Sequence, residues 1–190
     1  MLNTIAEKRK YISDVRAERL FREAEDDFFY FDKIAEATLK INKALEFSPE
    51  MLKALIMRAN IAFIEGNFEQ ATQFYKKAET VDPNNIKALA GLANVYEVCN
   101  RNDESLKYIE KAMSNLKSEN SLIKKGLLEL KINLLIKLGQ YVEAKKILEK
   151  SRYSLNEEDF IALCGNNLAT INHKLELRQK LKSVKLELVK

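Results

Sequence analysis

The chain has 190 residues, of which 46% are hydrophobic and 32% charged, with only 5 Gly and 2 Pro. This composition favours an all-α protein, and the lack of an uncharged apolar stretch of about 18 residues predicts no membrane span. The 32 basic and 28 acidic residues give a net charge of +4. Residues 174–190 hold six basic and two acidic side chains, so the rest of the chain is balanced and nucleic acid is an unlikely partner.

Residues 1–17 carry charges through their middle and lack the apolar core of a secretory signal, so we predict a cytoplasmic protein that starts with a helical extension. Behind this extension, the spacing of apolar residues predicts a helical hairpin over residues 18–51. Phe29 and Tyr30 lie at the end of its first helix. The sequence leaves open whether the helix at 1–17 packs across these aromatic side chains or leaves them exposed.

The hairpin is the first copy of a unit that recurs along the chain. Pro83 follows Pro49 by 34 residues, and Asn100, which tolerates a left-handed turn, follows Gly66 at the same interval. A shift of 39 residues reveals a fourth copy that begins near Gly139. A repeat of this length indicates hairpins that stack to share one core. The other positions with this period are Ala44, Ala78 and Ala112; Ala37, Ala71 and Ser105; Ile41, Tyr75 and Ile109.

At these residues the sequence resembles the tetratricopeptide repeat (TPR) family. The resemblance implies an α-solenoid of about four units, at 18–51, 52–85, 86–119 and 125–158. Departures from the family pattern include Arg58 and Lys131 in place of Leu, and Lys117 in place of Pro. The residues that carry the resemblance are Leu55, Ala59, Ala62, Ala71, Tyr75, Ala78 and Pro83 in the second unit and Leu89, Leu92, Ala93 and Tyr96 in the third.

A capping helix with a basic tail is predicted over residues 159–190. Asn156 is placed to cap it, and Gly165 alone does not predict a break, so one helix could extend to about residue 188. Its first half would close the stack through Ile161, Cys164, Leu168, Ile171 and Leu175. Its second half would project and carry an exposed apolar stripe, which we expect to pack against a second copy in a homodimer, against a partner or against a neighbouring element. The stripe consists of Leu177, Leu181, Val184 and Leu188.

No constellation of catalytic residues is recognisable. His173 is the single histidine and has no Ser, Cys or carboxylate partner in the pattern. Cys99 and Cys164 lack metal-ligand spacing and are predicted to be buried, reduced thiols. We therefore predict no enzyme activity, no cofactor, no metal and no small-molecule substrate.

A binding surface is instead expected on the concave side that the first helix of each unit lines in this family. Asp26, Asn60, Asn94 and Asn133 share one position there, and Asn166 falls close to it in the final helix. An Asn carboxamide can both donate and accept, so a row of them suits the backbone of an extended peptide or helix. The remaining predicted contacts are Phe29, Tyr30, Ile56, Phe63 and Lys87.

Some TPR domains clamp a C-terminal carboxylate, but the equivalent positions here argue against such a clamp. They hold Arg22, Asp26, Met57, Lys87 and Gly91, of which only Lys87 fits fully. The sequence therefore predicts a non-enzymatic adaptor or scaffold that binds a protein or peptide. The alternatives are a dedicated chaperone for an apolar client segment, similar to the TPR chaperones of type III secretion, and a structural protein that self-assembles.

Overall fold

The computed structural model describes residues 4–116 and 121–187, with side chains except at 121, 166 and 181–187. Within these ranges the chain is helical and contains no strand, which confirms the predicted all-α class. The helices are α1 (Ile5–Phe29), α2 (Ile34–Phe47), α3 (Leu52–Ile64), α4 (Phe68–Val81), α5 (Ile86–Val98), α6 (Asn102–Ser114), α7 (Ser121–Lys137), α8 (Tyr141–Ser151) and α9 (Glu157–Glu187).

The turns between paired helices repeat one backbone conformation. Gly66, Asn100 and Gly139 have φ values of 75°, 58° and 71°, as their alignment predicts. Asp32 has a φ of 52° at the equivalent position of the first hairpin. A residue that accepts this left-handed conformation is therefore present at each turn, and it is Gly, Asn or Asp in every case.

Side chains at the helix starts satisfy exposed backbone donors. Asn67 and Asn85 accept hydrogen bonds from the backbone N–H groups of Gln70 and Ala88, at the starts of α4 and α5. Asn156 accepts one from Asp159 N at 2.7 Å, so the predicted cap of α9 is confirmed. Such caps replace the intrahelical partners that the first turn of a helix lacks.

The chain divides into two compact units, Met1–Cys99 and Asn100–Lys190. The boundaries of the four predicted repeats stay a prediction, because the division groups several helices together on each side. Each unit has its own hydrophobic cluster. The first consists of Phe21, Ala24, Ala37, Ile41, Ala54, Met57 and Ile61, and the second of Leu128, Ile132, Leu135, Ala144, Leu148, Leu163 and Ile171.

Helix α1 is longer than one repeat requires. Residues 5–17 continue without a break into the helix of the first hairpin, and the Ser13 hydroxyl donates to the Phe47 carbonyl at 2.6 Å. The Arg16 guanidinium lies 5.8 Å from the centre of the Phe47 ring. This extension therefore lies beside the far end of α2 and cannot fold back over Phe29 and Tyr30, which are both exposed. The alternative in which it buries them is wrong.

Helix α9 departs from a continuous rod at Gly165, where the backbone has φ −7° and ψ −109°. The kink changes which residues face α7 and α8. Ile171 is buried and Leu175 is partly buried as predicted, but Leu163 is buried where Ile161 was expected. Ile161 and Leu168 are exposed, so the prediction of one apolar stripe through this helix is wrong for these two residues.

The two thiols lie in different surroundings. Cys164 is half-buried against the second cluster, and burial raises the pKa of its thiol. Cys99 follows the last residue of α5 and is exposed, so its predicted burial is wrong. The helix ends one residue earlier than the apolar pattern suggests, which places this side chain in the turn.

Candidate functional site

Asn60 is the best-supported polar residue of the predicted binding face. It lies exposed on α3, and the Tyr75 hydroxyl on α4 donates a hydrogen bond of 2.5 Å to its side-chain oxygen. Tyr75 is only 4% exposed, and burial raises its pKa to about 12. The hydroxyl therefore stays protonated at neutral pH and keeps donating. Because this bond orients the Asn60 carboxamide, its amino group is held ready to donate to a ligand.

Gly91 on α5 makes room for the tyrosine. A Cβ atom at Gly91 would lie 2.2 Å from both Cε1 and Cζ of the Tyr75 ring. The ring therefore passes directly over the backbone of α5 on its way to α3, and only glycine allows this approach. Tyr75 and Gly91 thus position Asn60, although the sequence pattern alone marks both as packing residues.

The other residues of the predicted asparagine row lie on different helices and in different units of the chain. Asn94 is exposed on α5, one repeat after Asn60 and in the same unit of the chain. Asn133 is exposed on α7, in the second unit. Asp26 is exposed on α1, whereas the side chain of Asn166 lies outside the described residues. Asn60 and Asn94 are therefore the two predicted carboxamides that share one compact unit.

A cavity of about 680 Å³ opens beside the starts of α3 and α5. Ile56 contributes to its apolar floor and is nearly buried, and Lys87 is exposed at its edge. Helix α1 forms one wall through Lys10, Asp14 and Glu18. These three residues were not predicted as part of the site, because the sequence pattern does not show in which direction the N-terminal helical extension leaves the first hairpin.

An ion pair between Glu18 and Lys53 connects the wall of the cavity to α3. The hydrogen bond from Lys53 is the main reason that the pKa of the Glu18 carboxyl is lowered. The Lys53 ammonium also lies 4.9 Å from the centre of the Phe21 ring. The pair therefore brings the middle of α1 next to the start of α3.

The predicted aromatic contacts are only partly available. Phe29 and Tyr30 are exposed at the end of α1, but Phe63 is half-buried and packs edge-on against Phe68, with ring centres 5.6 Å apart. Ile64, the last residue of α3, and Phe31, just beyond α1, are exposed beside these predicted residues. The apolar surface therefore follows the helix ends rather than the Phe63 ring.

Comparisons with known proteins agree with this architecture. Residues 62–125 match the family model described as "Tetratricopeptide repeat". The chain is 32% identical over 75 residues to human "Tetratricopeptide repeat protein 7A" and 32% identical over 95 residues to the "TPR repeat-containing protein MJ0263" of Methanocaldococcus jannaschii. Residues 62–125 are therefore tetratricopeptide repeat sequence, and the chain is similar to proteins that contain such repeats.

These TPR matches cover 40% and 48% of the chain and only 9% and 30% of the two relatives. Among solved structures, Pseudomonas aeruginosa PilF superposes with a TM-score of 0.66 at 18% identity, over 88% of this chain and 77% of that one. The first TPR domain of Spaghetti (RPAP3), bound to the HSP90 peptide SRMEEVD, gives a TM-score of 0.56 at 18% identity. That match covers 64% of this chain and 94% of the other. The structural likenesses concern the fold.

Arg58 is the main departure from the TPR pattern in the first unit. It is buried, and its guanidinium donates to the side-chain oxygens of Asn42 at 3.2 Å and Gln70 at 2.5 Å. It also lies 5.3 Å from the centre of the Phe74 ring. These contacts connect α2, α3 and α4. Where the TPR pattern has an apolar packing residue, Arg58 therefore holds three helices together through hydrogen bonds behind the binding face.

The described part of the TPR chain contains no cluster of three or more His, Cys, Asp or Glu residues that could hold a metal ion. His173 is exposed on α9. Within residues 4–116 and 121–187, no helix has the length and apolar character that a membrane span requires.

The predicted self-association stripe is described at only one position. Leu177 is 40% exposed, the side chains of Leu181 and Val184 are outside the described set, and Leu188 lies beyond the last described residue. On another face of α9, the Arg178 guanidinium donates to the Gly139 carbonyl at 3.2 Å and lies 5.6 Å from the centre of the Tyr141 ring. The helix therefore contacts α8 for longer than predicted, and the homodimer stays a prediction.

Proposed function

We propose that this TPR protein is a non-enzymatic adaptor that binds an extended peptide or helix of a partner protein on the face formed by α3 and α5. The observation that supports the proposal is the Asn60 carboxamide, exposed and oriented by a buried tyrosine. A surface asparagine that serves only solubility needs no such support. The Spaghetti domain bound to an HSP90 peptide shows that a protein of this fold can hold a peptide.

The chemistry of the face suits a peptide backbone with one apolar contact. Asn60 and Asn94 offer donors and acceptors at the same position of two neighbouring parallel helices. Lys87 at the edge of the cavity would pair with an acidic group. Ile56, about one turn before Asn60, lines the cavity but is 8% exposed, so it would add only a small apolar contact. We propose that binding takes place in the cytoplasm and involves no catalysis.

A clamp for a terminal carboxylate is not supported. Met57, at one of the clamp positions, is buried. Gly91, at another, cannot be replaced by a side chain without meeting the Tyr75 ring. The proposed ligand is therefore an internal segment of the partner and not its C-terminus.

The test is a comparative pull-down from native lysate with mass spectrometry. The bait is the full chain, either wild type or with Asn60→Ala, Asn94→Ala and Asn133→Ala combined. Gln73→Ala, which removes an exposed carboxamide from α4, serves as the matched control. We expect one partner to be recovered with the wild type and the control and to be lost from the triple variant. Equal recovery with all three baits would place the binding site elsewhere.

The exposed Phe29, Tyr30 and Phe31 side chains favour a second candidate function, a chaperone for an apolar client segment. A chaperone of this kind would lose its client on Phe29→Ser and Tyr30→Ser and would keep it in the triple asparagine variant. The same pull-down with these two substitutions therefore separates the two functions.

A further inference from the structure

An acidic and apolar rim lies at the C-terminal ends of α1, α3 and α5. In the first unit Glu18 of α1 pairs with Lys53 of α3, and each helix ends 11 residues later, at Phe29 and Ile64. Helices α3 and α5 begin beside one cavity and both have 13 residues, so the three helix ends lie near one another. The apolar members of the rim are between 42% and 79% exposed. They are Phe29, Tyr30, Phe31, Ile64 and Val98.

The charges of the rim are mostly negative. Asp26, Asp32, Glu65 and Glu97 lie within or next to the last turns of the three helices, and none of these turns contains a basic residue. Two cations lie nearby: Lys33, whose ammonium is 5.4 Å from the centre of the Phe31 ring, and the buried Arg58, whose guanidinium is 4.0 Å from the Glu65 carboxylate. Helix C-termini add partial negative charge from their free carbonyl groups. The rim therefore favours an occupant that is both cationic and apolar.

The C-terminal segment of the chain has this chemistry. Residues 174–190 contain six basic and two acidic side chains, and they account for the net charge of the whole sequence. Leu177, Leu181, Val184 and Leu188 recur at helical spacing within the segment. Leu175 and Arg178 contact the second unit of the same chain, whereas Leu177 is exposed.

We infer that the rim of one molecule binds the basic C-terminal segment, residues 174–190, of a second copy. The apolar stripe of the segment would cover Tyr30, Ile64 and Val98, and its lysines would pair with the carboxylates around them. Such a contact joins two different surfaces, so it leads to rings or open chains of molecules. The inference goes beyond partner binding by Asn60 and Asn94, although both use the side formed by α1, α3 and α5.

The first test measures the mass of the full chain by light scattering from low to high micromolar concentration. We expect the mean mass to rise with concentration and to fall again when salt screens the charges. Tyr30→Ser combined with Ile64→Ser should weaken association about tenfold or more. Leu39→Ser, on an exposed leucine of α2 outside the rim, is the matched control and should associate like the wild type.

A charge exchange sharpens the test. Glu65→Lys with Asp26→Lys reverses the rim, and Lys182→Glu with Lys185→Glu reverses the segment. Each double variant alone should remain monomeric, and an equimolar mixture of the two should form mixed assemblies in which the two variants alternate. A fluorescent synthetic peptide of residues 174–190 should bind the wild-type chain and lose about tenfold in affinity for the rim variant.

Three results would overturn the inference. The first is a wild type that stays monomeric at high micromolar concentration. The second is self-association that survives both charge-reversed double variants, Glu65→Lys with Asp26→Lys and Lys182→Glu with Lys185→Glu. The third is binding of the peptide that the charge-reversed rim does not weaken. The pull-down with the asparagine variants is independent of these measurements. A monomer that still loses its partner with the triple asparagine variant would refute self-association alone, and the reverse pattern would refute the adaptor function alone.

Discussion

The two compact units fill equivalent packing positions with different side chains. In the first unit, Tyr75 of α4 faces Gly91 of α5, so a large residue is matched with the smallest one. In the second unit, Leu148 of α8 stands at the tyrosine position, and Cys164 of α9, at the position equivalent to Gly91, packs in the same cluster. Two medium side chains there replace a large one and a small one, which keeps a similar volume in the core.

The difference matters for the surface because only the tyrosine has a hydroxyl group. It reaches Asn60 and holds the carboxamide, whereas the leucine can offer nothing of this kind to Asn133. Repeats with the same fold can therefore carry an asparagine at the same surface position whose carboxamide either is oriented by a tyrosine hydroxyl or lacks that hydrogen bond. The first unit is thus the better candidate for binding. The comparison also predicts which substitutions should change the free energy of unfolding.

The largest expected effect is a loss of stability at alkaline pH. Free tyrosine ionises near pH 10, but burial raises the pKa of Tyr75 to about 12. Between these values the unfolded chain loses the proton while the folded chain keeps it, so the free energy of unfolding falls as pH rises. Two pKa units correspond to roughly 2–3 kcal/mol across this window.

Urea unfolding of the wild type and of Tyr75→Phe from about pH 9 to about pH 11 covers the first half of this window, where we expect a loss of about 1 kcal/mol in the wild type. The variant should lose about 1 kcal/mol at neutral pH with the hydrogen bond and then depend less on pH. An equal dependence on pH in both proteins would assign the effect to other tyrosines.

Replacing Ala78 with Leu should destabilise the first unit by roughly 1–3 kcal/mol through overpacking. Ala78 is fully buried on α4. Ala35→Leu adds the same atoms at an exposed position of α2 and should leave thermal melting nearly unchanged. If both variants melt like the wild type, the interface between the helices is misplaced.

Gly91→Ala tests the contact that distinguishes the two units. The new methyl group would lie 2.2 Å from two atoms of the buried Tyr75 ring, so the ring must shift. This cost should exceed the better helix propensity of Ala, and we expect a net loss of about 1–2 kcal/mol. Gly126→Ala on α7 is the matched control because no atom lies within 4 Å of the added Cβ. The control should gain up to about 1 kcal/mol in chemical denaturation, and the same sign of change in both variants would argue against the tyrosine contact.

The smallest expected difference is between two asparagines. Asn60→Ala leaves the Tyr75 hydroxyl without its partner and should cost about 1 kcal/mol. Asn133→Ala changes an exposed position and should stay within about 0.5 kcal/mol of the wild type. Equal urea midpoints for the two variants would show that the tyrosine does not support Asn60.

Local chemistry made much of the fold predictable. The cap at Asn156 and the left-handed turns at Gly66, Asn100 and Gly139 depend on one residue and its near neighbours, so the sequence pattern is sufficient to find them. The burial of Ala78 and Leu148 follows from the repeat and from helical periodicity.

Contacts between distant residues were not predictable in the same way. The bond from Tyr75 to Asn60 needs the particular approach of α4 to α5, which no spacing within one helix specifies. The register change at Gly165 exposes Ile161 because one backbone angle depends on how α9 meets α7 and α8. The wall that α1 adds to the cavity likewise depends on the direction in which a continuous helix leaves the first hairpin.

Side-chain amide NMR tests the central claim most directly. The full chain, labelled with ¹⁵N at asparagine, is titrated with the partner recovered by the wild-type bait. The signals of Asn60 and Asn94 should shift or broaden at stoichiometric partner, while Asn42, which is engaged with Arg58 on the other layer of helices, should stay in place. Unchanged Asn60 and Asn94 signals at saturation would contradict a binding face on α3 and α5.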